Sequence, residues 1–122
     1  MKDSSLRVLV VDDDVEHLEL VQRQLQAFGF EVRTWSSGLG VTNEVRVFRP
    51  DVVLLDVNIP ALSGDRLVPL LRQSMSSIRL VLFSSSDRDQ LRSLARQVEA
   101  DDWIQKGIAP NALADQIRRI CR

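Results

Sequence analysis

Val52-Val53-Leu54-Leu55 is an unbroken apolar tetrad, and a carboxylate, Asp56, ends it. A strand with one wet face alternates apolar and polar side chains, whereas a strand covered on both faces has no need to. Two further runs of strand length share this character, Val8 to Val11 and Leu80 to Phe83. Val32 to Trp35 is a fourth run, with more alternation, and Trp103-Ile104 a weaker fifth. Near-continuous apolar strands predict a parallel sheet with helices on both faces.

The intervening segments support helices. Leu18, Val21, Leu25 and Phe28 recur on one helical face, and Gly29 follows as a stop signal. Ser86, with Asp89 three residues on, resembles a capping box that opens a helix carrying Leu91, Leu94, Ala95 and Val98. Pro110 can open a last helix with Leu113, Ile117 and Ile120 on one side. Gly38 to Phe48 is a weak helix former, but a parallel crossover needs a connection of this length. After the third strand, Leu67, Val68, Leu70 and Leu71 suggest a helix, with Pro69 predicting a kink or a late start. The order is strand and helix five times over, an α/β doubly wound fold around a five-stranded parallel sheet.

The bulk composition bounds the rest. At 122 residues the chain fits a single domain over 1–122. Sixteen basic and seventeen acidic side chains leave a formal charge of -1, which gives no support for direct nucleic-acid or membrane binding. Cys121 is the only cysteine, so no internal disulfide is available, which fits a reducing compartment. The N-terminal apolar run from Leu6 to Val11 is too short for a signal-peptide core or a membrane span. A cytoplasmic location is expected.

Sites in open parallel sheets form outside the carboxyl ends of the strands. The first strand ends in Asp12, Asp13 and Asp14, the third in Asp56, the fourth in Ser84, Ser85 and Ser86, and the fifth in Lys106. If the sheet is parallel these groups share one edge. Clustered carboxylates repel one another and need a cation. A few hard oxygen ligands with open positions suit Mg²⁺, which keeps waters and favours phosphate company. A carboxylate beside Mg²⁺ and a lysine can attack a phosphoryl group and form an acyl phosphate. Any one of these residues alone is more often structural, because strand-end Asp commonly caps the next helix. The joint pattern of acid, acid, hydroxyl and lysine argues for chemistry.

Val10-Val11-Asp12-Asp13, Leu54-Leu55-Asp56-Val57-Asn58-Ile59-Pro60 with Gly64, Phe83-Ser84 and Lys106 together resemble the receiver domains of two-component signalling, over nearly the whole chain. The resemblance implies a flavodoxin-like strand order of 2-1-3-4-5. It implies that Asp56 is the phosphoacceptor, that Asp13 ligates Mg²⁺ directly and Asp12 mainly through water, and that Asn58 gives the metal its backbone carbonyl. Ser84 would bond the phosphoryl group and act as switch, Lys106 would pair with a phosphoryl oxygen, and Trp103 stands where the family usually has a switching aromatic. The alternative for Trp103 is packing between the last strand and the preceding helix. Asp14 reads as a solvated residue or a helix cap.

Two departures stand out. Gly107 follows Lys106 where the family usually has a cis proline, and a cis bond before glycine is disfavoured by about 2.5–4 kcal/mol. A freer loop from Lys106 to Pro110 is expected. Ser84 replaces the commoner Thr and keeps the hydroxyl.

The expected function is a phosphorelay switch. A histidine kinase or phosphotransfer protein would donate to Asp56, and the response would pass through the face formed by the fourth helix, fifth strand and fifth helix. Protein–protein contact is the expected readout, since no output segment follows Arg122 in the sequence. The other reading is an interaction scaffold that works without phosphorylation. A multiple-turnover phosphohydrolase is disfavoured, since the chain has no spare length for a substrate pocket. Arg118, Arg119 and Arg122 suit the C-terminal end of the last helix.

Overall fold

The computed structural model describes residues 5–57, 64–74 and 77–122, with residues 64–67 described through their backbone. Five strands and five helices alternate: β1 (Arg7–Val11), α1 (Val15–Ala27), β2 (Glu31–Trp35), α2 (Val41–Phe48), β3 (Val52–Leu55), α3 (Gly64–Ser74), β4 (Arg79–Ser84), α4 (Arg88–Gln97), β5 (Asp102–Gln105) and α5 (Pro110–Ile120). All pairings are parallel, in the order β2-β1-β3-β4-β5. This is the architecture the apolar runs predict.

The pleat explains why the central strands are apolar throughout. Successive side chains point to opposite faces, and here both faces are covered. Val8, Val10, Val52, Leu54, Val81 and Phe83 pack with Leu18, Val21 and Leu25 of α1 and Leu113, Ala114 and Ile117 of α5. Leu9, Val11, Val53, Leu55, Leu80 and Leu82 pack on the other side with residues of α2, α3 and α4. Each such side chain contributes roughly 1.5–3 kcal/mol on burial. β2, at one edge, has no fully buried residue, which accounts for its alternation.

The helix starts differ from the sequence reading in three places, α4, α2 and α3. α4 begins at Arg88, capped by Asp87, whose side chain accepts from the Gln90 N–H, so Ser86 is not its cap. Ser86 is instead tied to Ser84 in the preceding turn. Asp14 caps α1 by accepting from the His17 N–H. Phe28 lies at the C-cap of α1 and is 37% exposed, so it does not extend that helix's buried stripe. Gly29 then takes a φ of 92°, the left-handed turn that releases the chain toward β2. α2 starts at Val41, three residues later than Gly38, because Gly40 takes a φ of 80° beneath the Trp35 ring. α3 runs through Pro69 from Gly64, so the late start is not seen.

Candidate functional site

Among the described residues, the buried polar or charged side chains are Asp12, Asp56 and Ser84. All three lie at the carboxyl ends of adjacent strands. Burying such groups is costly unless they are paired, so their collection at one edge calls for a compensating arrangement.

The backbone builds the row. Each ladder continues one step past its strand: the Asp12 N–H donates to the Trp35 carbonyl at 3.1 Å, Asp56 N–H to the Val11 carbonyl at 2.9 Å, and Lys106 N–H to the Ser84 carbonyl at 2.8 Å. These bonds set the side chains of β1, β3, β4 and β5 side by side. Carboxylate oxygens of Asp12, Asp13 and Asp56 lie within 4.8 Å of one another, with Asp13 exposed and the other two buried. Hard oxygen donors at this spacing, open to solvent through Asp13, suit a small divalent cation.

Lys106 supplies a fixed positive charge. Its Nζ is 2.7 Å from Asp12 Oδ2 and 3.5 Å from Asp56 Oδ2. The other Asp12 oxygen, Oδ1, accepts the Asp14 N–H at 3.0 Å. Burial works to raise the Asp12 carboxyl, yet the Lys106 and Asp14 hydrogen bonds and the lysine charge outweigh it and hold that carboxyl below the usual carboxylate range. Asp12 is therefore an anion that Lys106 already holds.

Ser84 is fully buried at the end of β4. Its Oγ accepts the Ser86 N–H at 3.1 Å and donates to Ser86 Oγ at 3.0 Å. Gln105 Nε2 donates to the Ser86 carbonyl at 3.1 Å, which ties this turn to β5. Trp103 is partly buried against the core beside α4, and the guanidinium groups of Arg88 and Arg92 each lie 5.9 Å from its ring. That placement fits the packing role considered for it. Gly107 takes a φ of 91°, and no cis peptide occurs among the described residues. Despite that departure, Lys106 reaches two carboxylates. Asn58 lies outside the described residues.

One member of the site was missed at the sequence level. His17 Nδ1 lies 3.1 Å from Asp12 Oδ2, the same oxygen that meets Lys106. Its ring packs tilted against Phe83, with centroids 5.6 Å apart.

The family model for the response regulator receiver domain matches residues 8–118. The chain belongs to this family. As a receiver domain it is 35% identical over 117 residues to the transcriptional regulatory protein PrrA of Mycobacterium leprae, covering 96% of this chain and 49% of that protein. It is 28% identical to the alkaline phosphatase synthesis transcriptional regulatory protein PhoP of Bacillus subtilis, over 95% of this chain and 48% of that protein. The chain thus spans about half the length of the curated relatives it matches. Among solved structures, the receiver resembles the chemotaxis protein CheY4 of Vibrio cholerae, with a TM-score of 0.85 at 25% identity, covering 96% and 99% of the two chains. It also resembles the BeF3-activated DrrB receiver domain, with a TM-score of 0.80 at 27% identity, covering 96% and 97%. The flavodoxin-like order of this receiver is the one the sequence resemblance implied. No helix among its described residues is long and apolar enough to cross a membrane.

Proposed function

We propose that this receiver is a phosphoacceptor switch in which Asp56 takes a phosphoryl group from a histidine kinase or phosphotransfer protein. The observation that carries the reading is the convergence of Lys106 Nζ on both Asp12 and Asp56 beside the exposed carboxylate of Asp13. A carboxylate so placed is an anion with a cation poised to offset charge on an arriving phosphoryl group.

In the proposed transfer an Asp56 carboxylate oxygen attacks phosphorus. The new O–P bond makes an acyl phosphate, the P–N bond to the donor imidazole breaks, and the electron pair leaves with that nitrogen. Lys106 pairs with a phosphoryl oxygen. Ser84 Oγ turns from Ser86 to bond another, which alters the turn that joins β4 to α4. Asp12, Asp13 and Asp56, with the Asn58 carbonyl, would hold Mg²⁺, whose charge stabilises the equatorial oxygens when it is bound. Only one phosphoryl group is carried per chain, and its loss is hydrolysis of the receiver's own acyl phosphate, so no separate substrate is turned over.

The response would pass to a protein partner through the α4–β5–α5 face. An open groove there is lined by Arg88, Trp103, Gln105, Ile108 and Gln116. Trp103 lines that groove on β5, two residues before the Gln105 that pairs with Ser84, and would serve as the switching aromatic. Residues 1–122 act as one receiver domain, and the phosphodonor places it in the cytoplasm. PrrA and PhoP are described as transcriptional regulatory proteins. Any such output would be carried by a partner or another segment rather than by this near-neutral domain.

Calorimetric titration with Mg²⁺, then with beryllofluoride, tests the reading. Binding of both, with loss of Mg²⁺ binding in Asp13→Asn, is expected. A folded protein that binds neither would favour the phosphorylation-independent scaffold.

A further inference from the structure

His17 stands in the first turn of α1, placed there by Asp14, whose Oδ1 accepts the His17 N–H at 3.2 Å. Helical side chains lean toward the helix N-terminus, so the ring falls back over the sheet edge. It contacts Phe83 on one side and Asp12 on the other. With His17 only 20% exposed at its side chain, the ring occupies a defined position. An ionised carboxylate only accepts, so Nδ1 of His17 carries the proton in this contact.

Asp12 Oδ2 therefore has two donors, Lys106 at 2.7 Å and His17 at 3.1 Å, while Oδ1 has the Asp14 N–H. Lys106 is also 3.5 Å from Asp56 Oδ2. A phosphoryl group on Asp56 draws the lysine away from Asp12. Without His17 that move would leave Oδ2 of a buried carboxylate with no nitrogen donor, and losing such hydrogen bonds is unfavourable. We propose that His17 is a positioning residue that keeps its Nδ1–H on Asp12 Oδ2 while Lys106 transfers to the phosphoryl group on Asp56. This rests on the phosphoacceptor reading, and it gives the lysine a low-cost route between two anions.

Two substitutions separate the hydrogen bond from the packing. His17→Met keeps an apolar contact with Phe83 and removes the donor. His17→Asn keeps an N–H donor near the Nδ1 position. Phosphorylation by acetyl phosphate with Mg²⁺ should slow about three- to ten-fold in His17→Met, in the saturated rate rather than in the donor concentration needed. His17→Asn should recover most of that loss. A second readout needs no phosphoryl group. In ion-free protein, Lys106→Met should lower the unfolding midpoint further in the His17→Met background than in the wild type, because Oδ2 then loses both donors. Equal rates in the two His17 variants together with additive midpoint shifts would overturn the proposal and leave His17 as packing for Phe83. Coupled midpoint shifts in a protein that no donor phosphorylates would overturn the lysine transfer together with the phosphoacceptor reading, while leaving the shared contact to Asp12 in place.

Discussion

Asp13, as a proposed metal ligand, would work against the fold that carries it. Its carboxylate lies in the same 4.8 Å group as those of Asp12 and Asp56, but it is exposed, and the ion pairs of Lys106 run to Asp12 and Asp56. Like charges at this spacing destabilise the folded chain when no cation is bound. Asp13→Asn should raise stability by roughly 1 kcal/mol in chelator, and added Mg²⁺ should stabilise the wild type but not this variant. Thermal unfolding with and without Mg²⁺ measures both effects. Asp12 behaves in the opposite sense. Its folded-state carboxyl is lowered from the ordinary value, so its ionised form contributes stability that is full above the ordinary carboxylate range and lost as pH falls through the lower folded value. Acid unfolding below about pH 4 should therefore lose part of its steepness in Lys106→Met, which removes the main partner of Asp12. Asp12, Asp13, Asp56, Ser84 and Lys106 were legible in the sequence because they cluster at the carboxyl ends of the strands. His17 was not, because its contact depends on how α1 leaves the sheet. The available signal was the Asp14 cap three residues earlier, which turns the third helical position back toward the edge.

At the level of elements, the strands were read within a residue or so of where they lie, since burial on both faces leaves an uninterrupted apolar run. Helix starts were harder, because several short polar residues compete for the same cap. In Ser84-Ser85-Ser86-Asp87, the first serine hydroxyl binds the third, and the aspartate caps α4. Asp87→Ala should cost about 1 kcal/mol, and Ser86→Ala should not weaken the α4 cap, as urea unfolding of the two variants would reveal. The β5–α5 loop makes a further prediction. Gly107 has a φ of 91°, and its neighbours leave space where a Cβ would go. Proline fixes φ near about −65°, so the loop cannot accept it without rearranging. Gly107→Pro should destabilise by more than about 1 kcal/mol, although proline is usual at this place in the family. The same unfolding experiment decides this, and an unchanged midpoint would mean that the loop has no preference for the left-handed geometry.

For the molecule as a whole, the parallel sheet does two jobs with one set of bonds. Its interior apolar faces hold α1 and α5 on one side and α2, α3 and α4 on the other. Its carboxyl edge, extended one residue by ladder hydrogen bonds, lines up the carboxylates, the hydroxyl and the lysine. The fold class and the site follow from the same apolar runs, which is why both could be read together. The placement of Trp103 beside Arg88 and Arg92 could not, because it appears only once α4 lies against β5. On the proposed reading this edge accepts a phosphoryl group at Asp56. Intact mass after incubation with Mg²⁺ and acetyl phosphate, beside an Asp56→Asn control, tests it most directly. One added phosphoryl group that requires Mg²⁺ and is absent from the control is expected. An unchanged mass in folded wild-type protein with Mg²⁺ present, or an equal addition to the control, would contradict it.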